Sequence, residues 1–243
     1  MAGIKQFDRR AVLDRAMALF WECGYEATSV QELLDAMGIN RGSLYATFGN
    51  KQQLFLTVLD HYADKVSMAM LAELEDPDPR RAIARMFARL LHRTSDPNWP
   101  RGCLNTNTAL ECPGSGDAIT RTVAERLGQQ ESALYHVLHR AQVAGTLDRG
   151  QDCRALARFF VGVAQGVNVV HKAGADLATL QDIVAIALHA LDTPRPPWQG
   201  TKATNGKKRS RQHRPDAPQS RRSLRRAAKG ISERTSGGQV SRS

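Results

Sequence analysis

The sequence has few cysteines, and their arrangement marks neither a metal site nor a disulfide framework. The four cysteines, Cys23, Cys103, Cys112 and Cys153, show neither CxxC spacing nor a Cys/His cluster of the zinc-site type. We therefore expect free thiols in a reducing cytoplasm, with no bound metal and no cofactor.

Long apolar runs are also missing. The most apolar stretch, residues 159–170, is too short to cross a bilayer and contains Gln165 and Asn168. The first eight residues are polar, and no charge-free apolar run follows them, so we expect neither a signal peptide nor a membrane partner.

Signatures of catalysis are absent from the sequence as well. The seven histidines are scattered, and no nucleophile motif, phosphate-binding glycine loop or pair of catalytic carboxylates stands out. We therefore do not expect an enzyme.

Basic charge is plentiful but unevenly placed. The formal net charge is +10, yet residues 195–243 hold 14 Lys and Arg against 2 Asp and Glu, while residues 1–194 hold 20 against 22. This tail is rich in Pro, Ser, Gly and Gln, and it has too few apolar residues to offset its ordering entropy, which predicts disorder. A tail-driven architectural or non-specific nucleic-acid binder is therefore an alternative function.

Residues 28–51 have the pattern of two short helices joined by a tight turn. Ser29 and Glu32 form a capping box that starts the first helix, and Gly38 ends it because glycine tolerates a positive φ. The apolar positions that recur at helical spacing are Val30, Leu33, Leu34, Met37, Leu44 and Phe48. This is the geometry that places a helix in the major groove of double-stranded DNA.

The polar faces of the two helices carry the predicted DNA contacts. Arg41 suits guanine, and the small Ala46 and Thr47 suit thymine methyl groups, whereas hydroxyl and ammonium groups suit phosphates. The full set is Ser29, Gln31, Arg41, Gly42, Ser43, Tyr45, Ala46, Thr47 and Lys51, with Lys5, Arg9 and Arg10 as further candidates.

The block Arg-Gly-Ser-Leu-Tyr-Ala-Thr-Phe-Gly-Asn-Lys at 41–51, after Gly38-Ile39, is similar to the recognition-helix block of the tetracycline-repressor (TetR) family. The preceding helix at 8–23, followed by Gly24-Tyr25, fits the same family, and the resemblance covers residues 7–60. It implies an all-α homodimer that binds a palindromic operator and represses transcription until a small-molecule effector binds. Ala46 and Thr47 stand where many members have larger side chains, so the operator cannot be copied from them.

The expected architecture has three parts. Residues 1–52 form a three-helix DNA-binding domain with the helix-turn-helix at about 29–48, residues 53–194 form a helical effector-binding and dimerisation domain, and residues 195–243 form the basic tail. Further helices are predicted at about 51–74, 79–94, 103–111, 117–144, 152–173 and 177–191, with a break at 113–116. The last two are either intramolecular core or, as the resemblance implies, a four-helix dimer interface.

Candidates for the effector pocket are apolar or weakly polar residues in and between the predicted helices: Tyr62, Phe87, Trp99, Cys103, Asn107 and Leu134. Packed core is the alternative for each of them. The set has no fixed charge, which favours an uncharged, partly aromatic ligand.

The segment Gly-Cys-Leu-Asn-Thr-Asn-Thr-Ala-Leu-Glu at 102–111 resembles one found in a TetR branch with electrophile- or oxidant-sensing members. Cys103 is predicted at a helix N-terminus near Arg101, where thiolate is favoured. It is a candidate sensor, or else a small thiol that packs well.

Overall fold

The computed structural model describes residues 7–111 and 118–192. These residues form ten α-helices and no strand. The helices are α1 Arg9–Cys23, α2 Val30–Met37, α3 Arg41–Phe48, α4 Lys51–Tyr62, α5 Met68–Leu71, α6 Pro79–Ser95, α7 Leu104–Glu111, α8 Ala118–Ala144, α9 Cys153–Lys172 and α10 Leu177–Leu188. A π-helical turn, Ala63–Ser67, joins α4 to α5, and 3₁₀ turns Ala72–Glu75 and His189–Leu191 follow α5 and α10.

The prediction of an all-α chain is confirmed, and the predicted helices lie within a few residues of the observed ones. The prediction of one continuous α-helix at about 51–74 is wrong, because the π turn and a 3₁₀ turn interrupt the α-helical structure there. Lys5, Cys112, the break at 113–116 and the basic tail lie outside the described residues. Within those residues no helix is long and apolar enough to cross a membrane, and no cluster of metal-binding side chains occurs.

Local side-chain chemistry sets where the first four helices begin. The Asp8 carboxylate accepts hydrogen bonds from the backbone N–H groups of Arg10 and Ala11, at 2.8 and 3.3 Å. Ser29, Asn40 and Asn50 cap α2, α3 and α4 in the same way. Each cap satisfies backbone donors that a helix start leaves unpaired, a contribution of about 1 kcal/mol.

Two apolar clusters form the interior. The first joins residues of α1–α4. It extends to Cys103, which immediately precedes α7, to Leu104 in α7, and to Ile119 and Val123 in α8. The rings of Phe20 and Phe55 meet edge to face there, with centroids 4.7 Å apart. The three helices that include the predicted DNA reader therefore share their core with α7 and α8.

The second cluster is built from α6, α8, α9 and α10 and contains Phe87, Leu134 and Phe160. Helices α9 and α10 bury one side there but leave large apolar residues outside. Phe159 and Val169 on α9 and Ile186 on α10 are exposed, Ile186 by 72%. Intramolecular core thus accounts for one face of these helices, while the dimer interface stays a prediction for the other.

Candidate DNA-reading surface and sensor region

Helix α3 separates core residues from exposed ones around its circumference. Asn40 fixes its first turn by accepting a hydrogen bond from the backbone N–H of Ser43 at 2.8 Å. Leu44 and Phe48 are buried. The predicted contact residues Arg41, Gly42, Tyr45, Ala46 and Thr47 are exposed, whereas Ser43 is half-buried. Five predicted contacts are therefore accessible to solvent on α3, outside its buried side.

The two predicted contacts of α2 are engaged within the chain. The Ser29 hydroxyl accepts from the backbone N–H of Glu32 at 3.2 Å, and the Glu32 carboxylate accepts from the backbone N–H of Ser29 at 2.7 Å, which completes the capping box. The Gln31 amide donates to the Asp35 carboxylate at 3.0 Å. Both residues are exposed, so their outer surfaces remain accessible.

Lys51 begins α4 at the edge of the same surface. Its ammonium nitrogen lies 4.6 Å from the centroid of the Tyr25 ring and 3.4 Å from the backbone carbonyl oxygen of Glu26. These contacts hold a positive charge at the N-terminus of α4, where the helix dipole also favours an anion.

Helix α1 fixes the turn between α2 and α3. Gly38 adopts the left-handed conformation, with φ 68°, and its N–H donates to the carbonyl of Leu34 at 2.9 Å. The guanidinium of Arg15 on α1 donates to the carbonyl of Met37 at 2.9 Å. A Cβ added at Gly38 would lie 3.2 Å from that guanidinium, so the position is both strained and crowded for other residues.

Two family models match this chain. Residues 12–58 match the bacterial regulatory proteins of the tetR family, and residues 79–187 match the tetracyclin repressor-like C-terminal domain. The chain belongs to the TetR family. Members of this family are DNA-binding transcriptional regulators, and the surface of α2 and α3 is its helix-turn-helix.

Individual TetR relatives agree with this assignment over most of the chain. The transcriptional repressor ComR of Escherichia coli is 38% identical over 76% of this chain and 89% of its own length. The regulator YezE of Bacillus subtilis is 36% identical over 79% of this chain and 100% of its own length. A cysteine mutant of the TetR regulator CifR, solved with a 26-base-pair operator DNA, is 32% identical, with a TM-score of 0.73 over 76% of this chain and 98% of its own.

Three of the predicted sensor residues lie together beneath α1 of this TetR protein. The Tyr62 hydroxyl donates to the Cys103 sulfur at 3.2 Å, and the Asn107 amide donates to the Trp21 carbonyl at 3.3 Å. Burial raises the pKa of Tyr62 well above its usual value, so the phenol keeps its proton and remains a donor. Cys103 is only 6% exposed, so a reagent reaches its thiol only if the surrounding helices move.

The other three predicted sensor residues are elsewhere. Phe87 and Leu134 are buried in the second apolar cluster, where their side chains contact other core residues. Trp99 packs its ring 5.6 Å from that of Trp21 and lines an open groove. The six residues predicted from periodicity thus occupy three places and do not surround one cavity.

The groove has a volume of about 540 Å³ and lies between segment 65–73 and α6. Its lining residues are Lys65, Val66, Ala69, Met70, Glu73, Arg85, Ala88, Arg89, Leu90, His92, Arg93, Asp96 and Trp99. The sequence prediction missed its charged residues. A visible signal existed, because Arg81, Arg85, Arg89 and Arg93 recur every four residues and therefore share one side of α6.

Glu111, at the end of α7, was also missed. Its carboxylate accepts hydrogen bonds from the backbone N–H groups of Tyr25 and Glu26 in the α1–α2 loop, at 2.9 and 2.5 Å. Gly24 has φ 90°, and a Cβ there would lie 2.8 Å from the carboxylate. This arrangement, which we call the Glu111 clasp, ties the sensor region directly to the loop that precedes the helix-turn-helix.

Proposed function

We propose that this TetR protein is a homodimeric repressor that binds a palindromic operator and is released from it by a small-molecule or electrophile effector. The exposure of Arg41, Tyr45, Ala46 and Thr47 on α3, while Leu44 and Phe48 are buried, is the observation that supports this most strongly. Repressors among its relatives, and a relative solved on operator DNA, support it further.

In this proposal residues 1–52 read DNA, and residues 53–194 bind the effector and form the dimer. Arg41, Ala46 and Thr47 meet base edges, and Gly42 permits close approach of the helix backbone. Phosphate oxygens accept hydrogen bonds from Ser29, Ser43, Tyr45 and Lys51, while Gln31 addresses an adenine or a phosphate.

Selection of bound DNA from a random pool, by the purified full chain at near-physiological salt, tests the proposal. We expect one enriched palindrome whose half-sites lie about one helical turn, roughly 34 Å, apart. Tight binding without enrichment would favour the alternative function, an architectural binder driven by the tail at 195–243.

The homodimer is proposed from the apolar residues that α9 and α10 leave exposed, Phe159, Val169 and Ile186. Covering this surface with a second copy would bury it in an isologous interface. Sedimentation analysis should therefore give a dimer, and Ile186→Glu should shift it toward the monomer. Val143→Glu is the matched control, since Val143 is a similarly exposed residue on α8.

For the electrophile-sensing form of release, we propose Cys103 as the reacting thiol. The adjacent Tyr62 hydroxyl, which donates to the sulfur, would be displaced when the sulfur is alkylated, and α4 and α7 would have to separate. Treatment with N-ethylmaleimide should release the operator from the unmodified protein. It should also release the operator from Cys23→Ser, which removes the exposed thiol of Cys23. Unchanged release from Cys103→Ser would contradict the assignment.

A further inference from the structure

We propose that the groove between segment 65–73 and α6 binds an organic anion with an apolar or aromatic body, and that the anion competes with Asp14 for Lys65. The role of this anion as effector rests on the function proposed above. Its charge differs from the uncharged ligand that the sequence favoured, because the groove is also lined by charged residues that the sequence prediction did not select.

The size and the apolar part of the groove suit a small aromatic molecule. Its volume of about 540 Å³ falls within the roughly 300–1,000 Å³ of sites for small ligands. Val66, Met70 and Leu90 supply apolar surface, and Trp99 supplies a ring for stacking. The concave surface therefore has room and contacts for a ring system.

The residues that line the groove carry more positive than negative charge. They include four fixed cations, Lys65, Arg85, Arg89 and Arg93, and two carboxylates, Glu73 and Asp96. Arg85 and Arg89 share Glu73, at 2.9 and 3.5 Å. Two carboxylates outside the lining add partners, since Asp14 pairs with Lys65 and Asp76, which pairs with Arg81, lies 3.7 Å from Arg85.

Arg93 differs from Arg85 and Arg89 in its partners. Its guanidinium donates to the Gly102 carbonyl and the Asn168 side-chain oxygen, both at 2.8 Å, and both of these acceptors are neutral. A carboxylate, sulfonate or phosphate on the ligand would compensate the excess positive charge. Its oxygens would accept the paired hydrogen bonds that guanidinium groups donate.

The groove is in direct contact with the DNA-binding helices. Lys65 donates to the Asp14 carboxylate on α1 at 2.7 Å, and its ammonium lies 5.6 Å from the centroid of the Trp99 ring. The rings of Trp99 and Trp21 on α1 are 5.6 Å apart, and the Arg93 guanidinium is 5.3 Å from the Trp21 ring. A ligand beside Lys65 and Trp99 therefore touches residues that hold α1 in place.

The Lys65–Asp14 pair can be exchanged at low cost. Both side chains are 41% exposed, and exposed ion pairs contribute only about 0–1 kcal/mol. Asp14 also keeps its contact with His61 at 2.7 Å. An anion in the groove can thus pair with Lys65 while Asp14 keeps His61 as a partner. Helix α1 then loses one of its contacts with the π turn.

Two probes of the same shape test the charge requirement. Calorimetric titration of DNA-free protein with 2-naphthoate should show binding, and the neutral 2-naphthamide should bind about fivefold or more weakly, the equivalent of one ionic contact of about 1 kcal/mol. Lys65→Met and Arg89→Met should each weaken naphthoate binding by a similar factor. Arg149→Met, which removes an exposed cation outside the groove, should leave it unchanged.

Asp14→Asn tests the competition itself. Removing the competing carboxylate should tighten naphthoate binding, whereas a merely structural role of the pair would leave binding unchanged or weaken it. Equal binding of acid and amide, or binding by Lys65→Met and Arg89→Met as tight as by the unmodified protein, would overturn the site. A failure to select an operator would refute the proposed function alone, because these titrations contain no DNA.

Discussion

Replacing Glu111 by Gln tests whether the Glu111 clasp supports the DNA-reading helices. The side chain keeps its size and one acceptor oxygen, but it loses its charge and presents an NH₂ group to one of the two backbone donors. One hydrogen bond is therefore lost, and the other changes from a charge-assisted to a neutral bond.

The structure sets the expected magnitude. Hydrogen bonds to charged groups contribute about 1.5–3 kcal/mol, and neutral ones about 0.5–1.5 kcal/mol. The N–H of Tyr25 is partly buried and has no easy substitute, whereas that of Glu26 is exposed and can bond to water. We expect Glu111→Gln to lower the free energy of unfolding by about 1–3 kcal/mol.

Operator affinity should fall as well, because the same loop positions Lys51, one of the proposed DNA contacts. The Glu26 carbonyl and the Tyr25 ring hold the ammonium group of Lys51. A loop released from Glu111 would hold Lys51 less well, so the proposed contact of Lys51 with a phosphate would weaken.

Urea denaturation and operator titration, run on the same preparations, provide the measurements. Glu22→Gln is the matched control, since Glu22 is an exposed carboxylate on α1 and should change neither quantity. If Glu111→Gln shifts neither the urea midpoint nor the operator affinity relative to Glu22→Gln, the reasoning about the clasp is refuted.

Four further predictions concern the DNA surface, one turn, one buried histidine and the tail. Arg41→Ala should cost roughly 1–3 kcal/mol on the selected operator and relax preference at one base pair, whereas equal weakening on all sequences would make Arg41 a phosphate contact. Gly38→Ala should lower the free energy of unfolding by about 1–2 kcal/mol because it forces a Cβ into the left-handed region, and an unchanged urea midpoint would contradict this. Burial, aided by nearby guanidinium groups, lowers the pKa of His171 below 6.5, so its contribution to stability is present above that pH and is lost as the pH falls toward the lowered value. His171→Asn keeps an acceptor for the Gly102 N–H and should remove that part of the pH dependence in urea titrations. Deleting residues 195–243 should flatten the salt dependence of DNA binding, and loss of operator preference in the truncated protein would favour the architectural function.

Features encoded by neighbouring residues were predictable from the sequence. Ser29 and Glu32 form their capping box within one turn of α2, and Gly38 ends that helix in the expected conformation. Leu44 and Phe48 are buried as their spacing predicted. Such features depend on bonds between residues three or four positions apart, so local spacing contains the necessary information.

Features that depend on tertiary packing were not predictable in this way. The sequence marks Phe87, Leu134 and Trp99 equally as apolar. Only the packing of α6 and α8 assigns the first two to core, and only the contact with Trp21 on α1 places Trp99 beside the groove. Glu111 reaches a backbone N–H that is 86 positions away in the sequence. A lone glutamate at the end of a short helix has no local signal for that partner.

The first apolar cluster has a consequence for engineering chimeric repressors. Function is proposed to divide near residue 52, but the packing does not, because Phe55, Tyr62, Leu104 and Ile119 belong to the same cluster as Phe20 and Phe48. A DNA-binding module cut at residue 52 and grafted onto another sensor would bring a bare hydrophobic surface to the junction. The graft should succeed only where the recipient supplies side chains of matching shape there, so the choice of recipient is a packing problem before it is a question of DNA specificity.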